Sequence, residues 1–207
     1  MLKIDTVVLI DFREPKYLPT HIFNRENHKE WYNRCAKNLH KIMELTNIEN
    51  MVYASYGSDY ETKTDRCTDS IFKDKKLFPE WINKKPAYFV HECPELFENK
   101  NILLSGCSFY TCLTTRELGF RTLLKNPKIK NVFSCPDITG YYGNGVGDTE
   151  DTLYERTGQP INVTPAKEED FLNHENFNFE KIKLTENYNV FKCNFINSTK
   201  HHTQETK

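Results

Sequence analysis

A cysteine that follows a short apolar segment is the residue of this sequence best placed to do chemistry. Residues 102–105 predict a buried strand, Gly106 a tight turn, and residues 112–125 a helix that starts close to Cys112. The first turn of a helix carries N–H groups without helical partners and the positive end of the helix dipole, so it favours the thiolate that attacks carbonyl carbon. The same N–H groups can hold an oxyanion. The pattern predicts a cysteine nucleophile, and the alternative is that Cys112 is a small buried hydrophobe.

An aspartate follows the first predicted strand of the chain. Residues 4–10 form a near-continuous, valine-rich apolar run that is typical of a strand buried on both faces, and the run ends at Asp11. In an open parallel sheet, ligands bind beyond the carboxyl ends of the strands, where Asp11 and Cys112 are both expected. A carboxylate near a thiol can accept its proton and pass it to a leaving amine. Taken alone, an aspartate at a strand end is more often a turn former or a helix cap.

Strands and helices alternate along the chain and must position these two residues. In the first predicted helix, apolar residues recur every four positions at Trp31, Cys35, Leu39 and Met43, which is typical of a helix lying on a sheet. The predicted strands are residues 4–10, 51–56, 87–90, 102–105, 131–135 and 161–163, and the predicted helices are residues 24–45, 112–125 and 148–156. This order predicts a three-layer α/β/α sandwich with a mostly parallel central sheet.

The composition changes towards the C-terminus. Beyond residue 172 the chain becomes polar and rich in Asn and Lys. We predict one domain over residues 1–175 and a C-terminal extension over residues 176–207, in which residues 188–196 add an edge strand and residues 201–207 form a disordered tail.

The composition also limits the function and the location. The chain has 207 residues, a formal net charge of −1 and no basic stripe, which argues against nucleic acid as a partner. No apolar run approaches the roughly 20 residues of a membrane span, and the N-terminus lacks a signal-peptide core. Seven cysteines without paired metal-type spacing favour reduced thiols, so we expect a cytoplasmic protein that does not bind a membrane.

Three segments of the sequence resemble the isochorismatase-like cysteine hydrolases, a superfamily that includes isochorismatases, nicotinamidases and related amidases. The first is the strand and aspartate of residues 7–11, and the second is residues 102–119, in which Gly106 stands six residues before Cys112 and Thr-Thr-Arg follows shortly after it. The third is residues 158–172, which is similar to the closing strand and helix of that domain. The resemblance implies the family's Rossmann-like fold over roughly residues 4–172.

The resemblance also implies a mechanism based on an aspartate, a lysine and a cysteine. Cys112 would attack an amide and form an acyl-enzyme, with Asp11 as base and then acid, before water releases the carboxylic acid. The family places a cis peptide near Cys107 and Ser108, and the backbone N–H groups of Ser108 to Cys112 would then hold the oxyanion. The bond cleaved would be a C–N bond other than a peptide bond.

The lysine of that triad has two alignments in this sequence. One makes Lys85 the catalytic lysine, and the other makes residues 87–90 the strand itself, so that His91 or Glu92 takes the lysine position. We favour Lys85, while the neighbouring Lys84, or no lysine at all, remains open. Both lysines are also explained as solvated surface charges.

The remaining expectations concern ligands and partners. The loop of residues 55–62 lacks the two histidines of the nicotinamidase metal site, so we expect no metal and no cofactor and disfavour nicotinamidase activity. We expect a small-molecule substrate, an aromatic lining from Phe12, Tyr110 and Tyr141, and a homo-oligomer whose contacts complete the pocket. The glycine-rich segment of residues 141–147 is more often a plain mobile loop, and the alternative is that it forms one wall of the site. The alternative function is an inactive homologue that serves as a binding or oligomer-forming module.

Overall fold

The computed structural model describes residues 2–12, 25–54, 81–109, 112–142 and 164–196. The strands in these ranges are β1 (Thr6–Ile10), β2 (Asn50–Ala54), β3 (Asn83–Pro86), β4 (Asn101–Ser108), β5 (Asn131–Tyr142), β6 (Thr164–Pro165), β7 (Phe177–Lys183) and β8 (Asn189–Phe195). The α-helices are α1 (Arg25–Thr46), α2 (Cys112–Thr115), α3 (Phe120–Leu123) and α4 (Glu168–Leu172), and two 3₁₀ turns (Val90–Glu92 and Pro94–Leu96) precede β4.

All the described strands belong to one mixed sheet. Its order is β3-β2-β1-β4-β5-β8-β7, with β6 beside β5. The strands from β3 to β5 are parallel neighbours, whereas β6, β7 and β8 pair antiparallel. The predicted α/β class with a mostly parallel sheet is therefore confirmed. The strand order reverses direction between β1 and β4, and this switch point is where an open sheet leaves a crevice for a ligand.

The two strands at the switch point form the centre of the core. Every residue of β1 and of β4 is buried, which explains why both read as apolar runs. Gly106 lies inside β4, paired with Ile10, so the predicted turn at this glycine is wrong. A Cβ atom at Gly106 would lie 2.4 Å from the carbonyl oxygen of Ile10. The glycine permits a close approach of two strands rather than a change of direction.

The helix predicted after Cys112 is divided into two short helices. We expected one helix over residues 112–125, but α2 ends at Thr115 and α3 begins after Gly119. Gly119 has an extended backbone, and its N–H donates to the carbonyl of Arg116 at 2.8 Å. Glycine is a weak helix former, and here it interrupts the apolar pattern that suggested a continuous helix.

The strand before β4 is not where its apolar residues suggested. Residues 87–90 were expected to form it, but the strand is β3, and Val90 begins a 3₁₀ turn. β3 is a polar edge strand that pairs through its backbone with β2, and Lys85 lies opposite Val52. An edge strand needs few buried side chains, so hydrophobicity did not reveal it.

Strand β5 is longer than the predicted residues 131–135. It continues to Tyr142, so Tyr141 lies in a strand and not in the expected glycine-rich loop. The pairing with β4 shifts register between Leu104 and Gly106, which leaves extra residues bulging from β5. Hydrogen bonds stabilise the bulge: the Ser105 hydroxyl donates to the carbonyl of Ile138 at 2.5 Å.

Helix α1 and the C-terminal strands complete the core. All four apolar residues predicted to face the sheet from α1 are buried, which confirms that helix.

The strand predicted at residues 188–196 exists as β8, but it lies between β5 and β7, so β7 is the edge. Phe177 and Phe179 of β7 are buried in the common core. The predicted strand 161–163, helix 148–156 and tail 201–207 lie outside the described residues.

Candidate active site

The structure places Asp11 and Cys112 after adjacent strands. Asp11 directly follows β1, and Cys112 begins α2 shortly after β4 ends. The pairing of Ile10 with Gly106 brings the carboxyl ends of these two strands side by side. Both residues therefore belong to the switch-point edge of the sheet, as their sequence positions predicted.

The backbone of Asp11 has an unusual conformation. Its φ is 51°, in the left-handed region that aspartate tolerates better than most residues, and its N–H donates to the carbonyl of Ala54 at 2.8 Å. The chain thus makes one more hydrogen bond to β2 after β1 ends. This backbone conformation determines the direction in which the Asp11 side chain extends from the main chain.

The carboxylate of Asp11 contacts an arginine that follows α2. Arg116 Nε lies 3.4 Å from Asp11 Oδ2, and the side chains are 29% and 9% exposed, respectively. The pair joins the end of β1 to the segment that carries Cys112. Arg116 was part of the motif in the sequence, four residues after Cys112, but its role was missed because nothing in the spacing showed that it would meet Asp11.

Cys112 lies in a short and well-packed turn. Its residue is 8% exposed, and the next two residues, Leu113 and Thr114, are also buried. The Thr114 hydroxyl donates to the carbonyl of Phe109 at 2.7 Å, which fixes α2 to the end of β4. Because α2 has only four residues, its peptide dipoles add to less than those of the continuous helix that the sequence predicted.

The structure describes some of the residues that we expected to form the oxyanion hole. Ser108 is the last residue of β4, is buried, and pairs with Tyr141 of β5. The peptide between Cys107 and Ser108 is trans, as is every peptide in the described ranges, so the cis peptide implied by the resemblance is wrong. Residues 110 and 111 lie outside the description, and the role of the N–H groups from Ser108 to Cys112 stays a prediction.

Lys85 makes an ion pair at the edge of the sheet. Its Nζ lies 2.9 Å from Glu95 Oε1, and the two side chains are 41% and 59% exposed. This hydrogen bond raises the pKa of Lys85 and lowers the pKa of Glu95. Strands β2 and β1 stand between β3 and the strand that leads to Cys112. The structure therefore brings Asp11 and Cys112 to one edge and places the ammonium of Lys85 against Glu95.

The two residues of the second alignment take part in local structure. His91 is exposed, and its ring stacks on Phe89 with 5.3 Å between ring centroids. The carboxylate of Glu92 accepts hydrogen bonds from the backbone N–H groups of Tyr88 and Phe89, the second at 3.0 Å. Glu92 thus acts as a cap for the 3₁₀ turn.

The aromatic residues expected to line a pocket have different positions. Phe12 is buried and packs against Trp31 and Tyr32 of α1, at centroid distances of 5.6 and 5.1 Å. Its ring belongs to the hydrophobic core. Tyr141 lies in β5, and Tyr110 is outside the described residues.

The other thiols are strongly protected by burial. The six cysteines in the described ranges are free and buried. Burial raises the pKa of Cys35 to about 12 and that of Cys93 to about 11, and it also raises the pKa values of Cys135 and Cys193. These four thiols stay protonated at neutral pH, so they are poor nucleophiles.

The described ranges hold neither a cluster of metal ligands nor a membrane-spanning helix. Among the residues that the structure describes, no three His, Cys, Asp or Glu side chains are grouped as metal ligands would be. The acidic residues of the loop 55–62 are not among them. No helix in the described part of the chain is long and apolar enough to cross a membrane.

Comparisons with protein-family models, with curated proteins and with solved structures found no match to this chain. The resemblance to isochorismatase-like hydrolases therefore depends on the three sequence segments alone.

Proposed function

We propose that this protein is a cysteine hydrolase of small amides or related carbonyl compounds, built on a three-layer, isochorismatase-like α/β/α domain. One observation carries the proposal: Asp11 and Cys112 follow adjacent parallel strands at the point where the strand order reverses. The contact between Asp11 and Arg116 supports it, because it joins the carboxylate to the segment that holds the thiol.

The reaction has two halves. In the first, the Asp11 carboxylate accepts the Cys112 proton, and the thiolate attacks the carbonyl carbon of the amide to give a tetrahedral intermediate. The C–N bond then breaks, Asp11 gives its proton to the leaving amine or ammonia, and a thioester remains. In the second, Asp11 deprotonates a water molecule that attacks the thioester, the C–S bond breaks, Asp11 returns its proton to the Cys112 sulfur, and the carboxylic acid leaves. Backbone N–H groups from Ser108 to Cys112 would hold the oxyanion in both halves.

The burial of the two residues favours a small substrate. Cys112 is 8% exposed and Asp11 is 7% exposed, so a folded macromolecule could not bring its backbone to either one. The free thiols of the described ranges suit a reducing cytosol, which is where we place the reaction. The expected homo-oligomer stays a prediction.

A second candidate function has an observation in its favour. Because Lys85 is paired with Glu95, the lysine that the resemblance implies has a partner away from Cys112. An inactive homologue, acting as a binding or oligomer-forming module, would tolerate this arrangement. The two functions differ in whether Cys112 reacts with a substrate.

The test is ammonia release from a panel of small primary amides, such as acetamide, butyramide and benzamide. We expect release by the wild type, none by Cys112→Ala, and a loss of 10²-fold or more in Asp11→Asn. Cys93→Ala is the matched control, because Cys93 is another buried thiol and precedes β4 on the side of β3. Equal release by wild type and Cys112→Ala would contradict the role of Cys112, whereas no release with any amide and no acyl adduct in the intact mass would favour the second function.

A further inference from the structure

The site holds a cation that the sequence analysis did not assign. We propose that Arg116 is the positioning residue of this site: its guanidinium orients the Asp11 carboxylate and provides the positive charge that favours the Cys112 thiolate. This inference rests on the proposed hydrolase function and names the residue that would take the electrostatic role of the family's lysine.

The geometry joins two of the three groups directly and places the third on the same segment as the cation. Arg116 Nε is 3.4 Å from Asp11 Oδ2, and Arg116 follows α2, four residues after Cys112. The segment that presents the thiol therefore also presents the cation, while β1 presents the carboxylate. Because Asp11 is largely buried and Arg116 is about two-thirds buried, solvent and salt screen this pair less than an exposed one.

The site needs a positive charge near the thiolate. The sequence suggested two sources, the dipole of the helix that begins at Cys112 and the ammonium of Lys85, and both are weak in the structure. A thiolate next to a carboxylate places two negative charges together, which raises the pKa of one of them unless a cation is close. Helix α2 has only four residues, so its dipole is small. The ammonium of Lys85 is 2.9 Å from Glu95. Arg116 is the cation that the structure shows in contact with Asp11.

The chemistry of arginine defines what it can do here. A guanidinium stays protonated at any working pH, so Arg116 cannot transfer a proton during the reaction. Its effect is electrostatic and geometric: the ion pair with Asp11 Oδ2 restrains the position of the carboxylate and places a fixed positive charge beside it. A lysine at this position would keep the charge but lose the planar geometry.

A purely structural role for the pair predicts different behaviour. If the pair served only to attach the segment after β4 to β1, replacing Arg116 would lower the thermal stability but would not change the ionisation of Cys112. The pH dependence of the thiol therefore separates the two roles.

The experiment measures the rate of Cys112 alkylation by iodoacetamide from pH 5 to 10, by peptide mass spectrometry, in the full-length protein. We expect a wild-type midpoint below the free-thiol value of about 8.5, and a midpoint raised by about one unit in Arg116→Gln, which slows alkylation about tenfold at low pH. Arg116→Lys should stay within a few tenths of a unit of wild type. Lys85→Gln, which removes the lysine that the resemblance assigned to the triad, should leave the midpoint of Cys112 alkylation unchanged.

Each outcome has one meaning. A depressed wild-type midpoint that Arg116→Gln does not move overturns this inference and leaves the hydrolase proposal standing. A wild-type midpoint near 8.5 also overturns this inference, because no cation then favours the thiolate, and the ammonia-release test decides the hydrolase proposal separately. If circular dichroism shows that Arg116→Gln does not fold, Arg116→Lys decides, because a shift of a full unit in that charge-retaining variant also overturns the inference.

Discussion

The buried thiols of this chain differ in how far their surroundings suppress ionisation. Cys35 and Cys93 have pKa values raised to about 12 and about 11 by burial in the core. Cys112 begins α2, four residues before Arg116, which contacts Asp11. The residue-level account therefore predicts a difference in reactivity between chemically identical groups.

Iodoacetamide at pH 7 should label Cys112 well before Cys35, Cys93, Cys135 and Cys193. The reason is that alkylation follows the thiolate fraction, which burial makes very small for those four. Peptide mass spectrometry of briefly treated protein measures the order. Repeating the treatment in denaturant is the control, since all thiols should then react alike. Similar native labelling of Cys112 and Cys93 would contradict the prediction.

His174 predicts a pH dependence of stability. The residue is buried beside Phe109 and Phe177, at centroid distances of 5.2 and 5.1 Å, and desolvation lowers its pKa from the ordinary 6.5. The unfolded chain therefore binds this proton more readily than the folded one. Stability is retained above pH 6.5 and falls as the pH decreases through the lowered folded pKa.

Thermal melts at pH 7.5 and 5.5 should show this loss, and His174→Asn should reduce it. The Asn side chain keeps an oxygen that can accept the Asn176 N–H, which now donates to His174 Nδ1 at 3.0 Å. His91→Asn is the control, because His91 is exposed. An equal decrease in the melting temperature for wild type and His174→Asn would exclude His174 as the cause.

At the scale of secondary-structure elements, two glycines allow strands and helices to approach closely. A Cβ at Gly140 would lie 1.9 Å from the carbonyl oxygen of Cys107, and one at Gly106 would lie 2.4 Å from that of Ile10. Both contacts are with backbone atoms, which cannot move without breaking the pairing of β1, β4 and β5. These glycines set the spacing of the strands that carry the site.

Gly140→Ala and Gly106→Ala should each destabilise the fold by about 3 kcal/mol or more, because an added carbon overpacks a rigid core. Urea unfolding followed by circular dichroism measures the change. Asn178→Ala, at an exposed position of β7, is the matched control and should change stability by no more than about 0.5 kcal/mol. Near-wild-type midpoints for both glycine variants would contradict the close approach.

The elements that sequence patterns predicted well are those whose side chains are buried. β1 and α1 follow from hydrophobicity because their apolar residues alone determine which face is covered. β3 was missed because an edge strand is held by backbone hydrogen bonds. Gly106 and Gly119 were misread because glycine serves turns, close contacts and helix ends alike, and only the neighbouring segments distinguish these uses.

The same limit applies to the candidate site. Asp11 and Cys112 were predictable because each follows a strand that hydrophobicity reveals. Arg116 was not, since its contact with Asp11 depends on how the chain turns after α2, which involves residues far apart in sequence. Lys85 was chosen through a resemblance, and its contact with Glu95 depends on the 3₁₀ turns before β4.

For the whole molecule, the C-terminal strands are part of the sheet. β8 pairs with β5, and β7 pairs with β8, while their aromatic residues pack against the helices beyond β4 and β6. Phe179 lies 5.7 Å from Phe109 and 5.2 Å from Phe171, between ring centroids. The sequence suggested an extension beginning at residue 176, but the packing joins it to the core that supports α2.

A chain ending at residue 175 should therefore fail to unfold cooperatively. It would lose β7 and β8 and expose the apolar surface of β5 and α4 that they cover. A chain ending at residue 196 keeps every described strand and is the control. Thermal melts by near-ultraviolet circular dichroism compare the two with the full chain. A cooperative transition of the shorter chain near the full-length melting temperature would show that the extension is dispensable.

The central claim is that Asp11 and Cys112 form one coupled chemical site, and the pH dependence of Cys112 alkylation in wild type and Asp11→Asn tests it most directly. Removing the carboxylate removes a negative charge that opposes the thiolate and releases Arg116 to stabilise it. The account predicts a wild-type midpoint below the free value of about 8.5 and a further decrease of about one unit in Asp11→Asn. A wild-type midpoint near 8.5 that Asp11→Asn leaves unchanged would contradict the account.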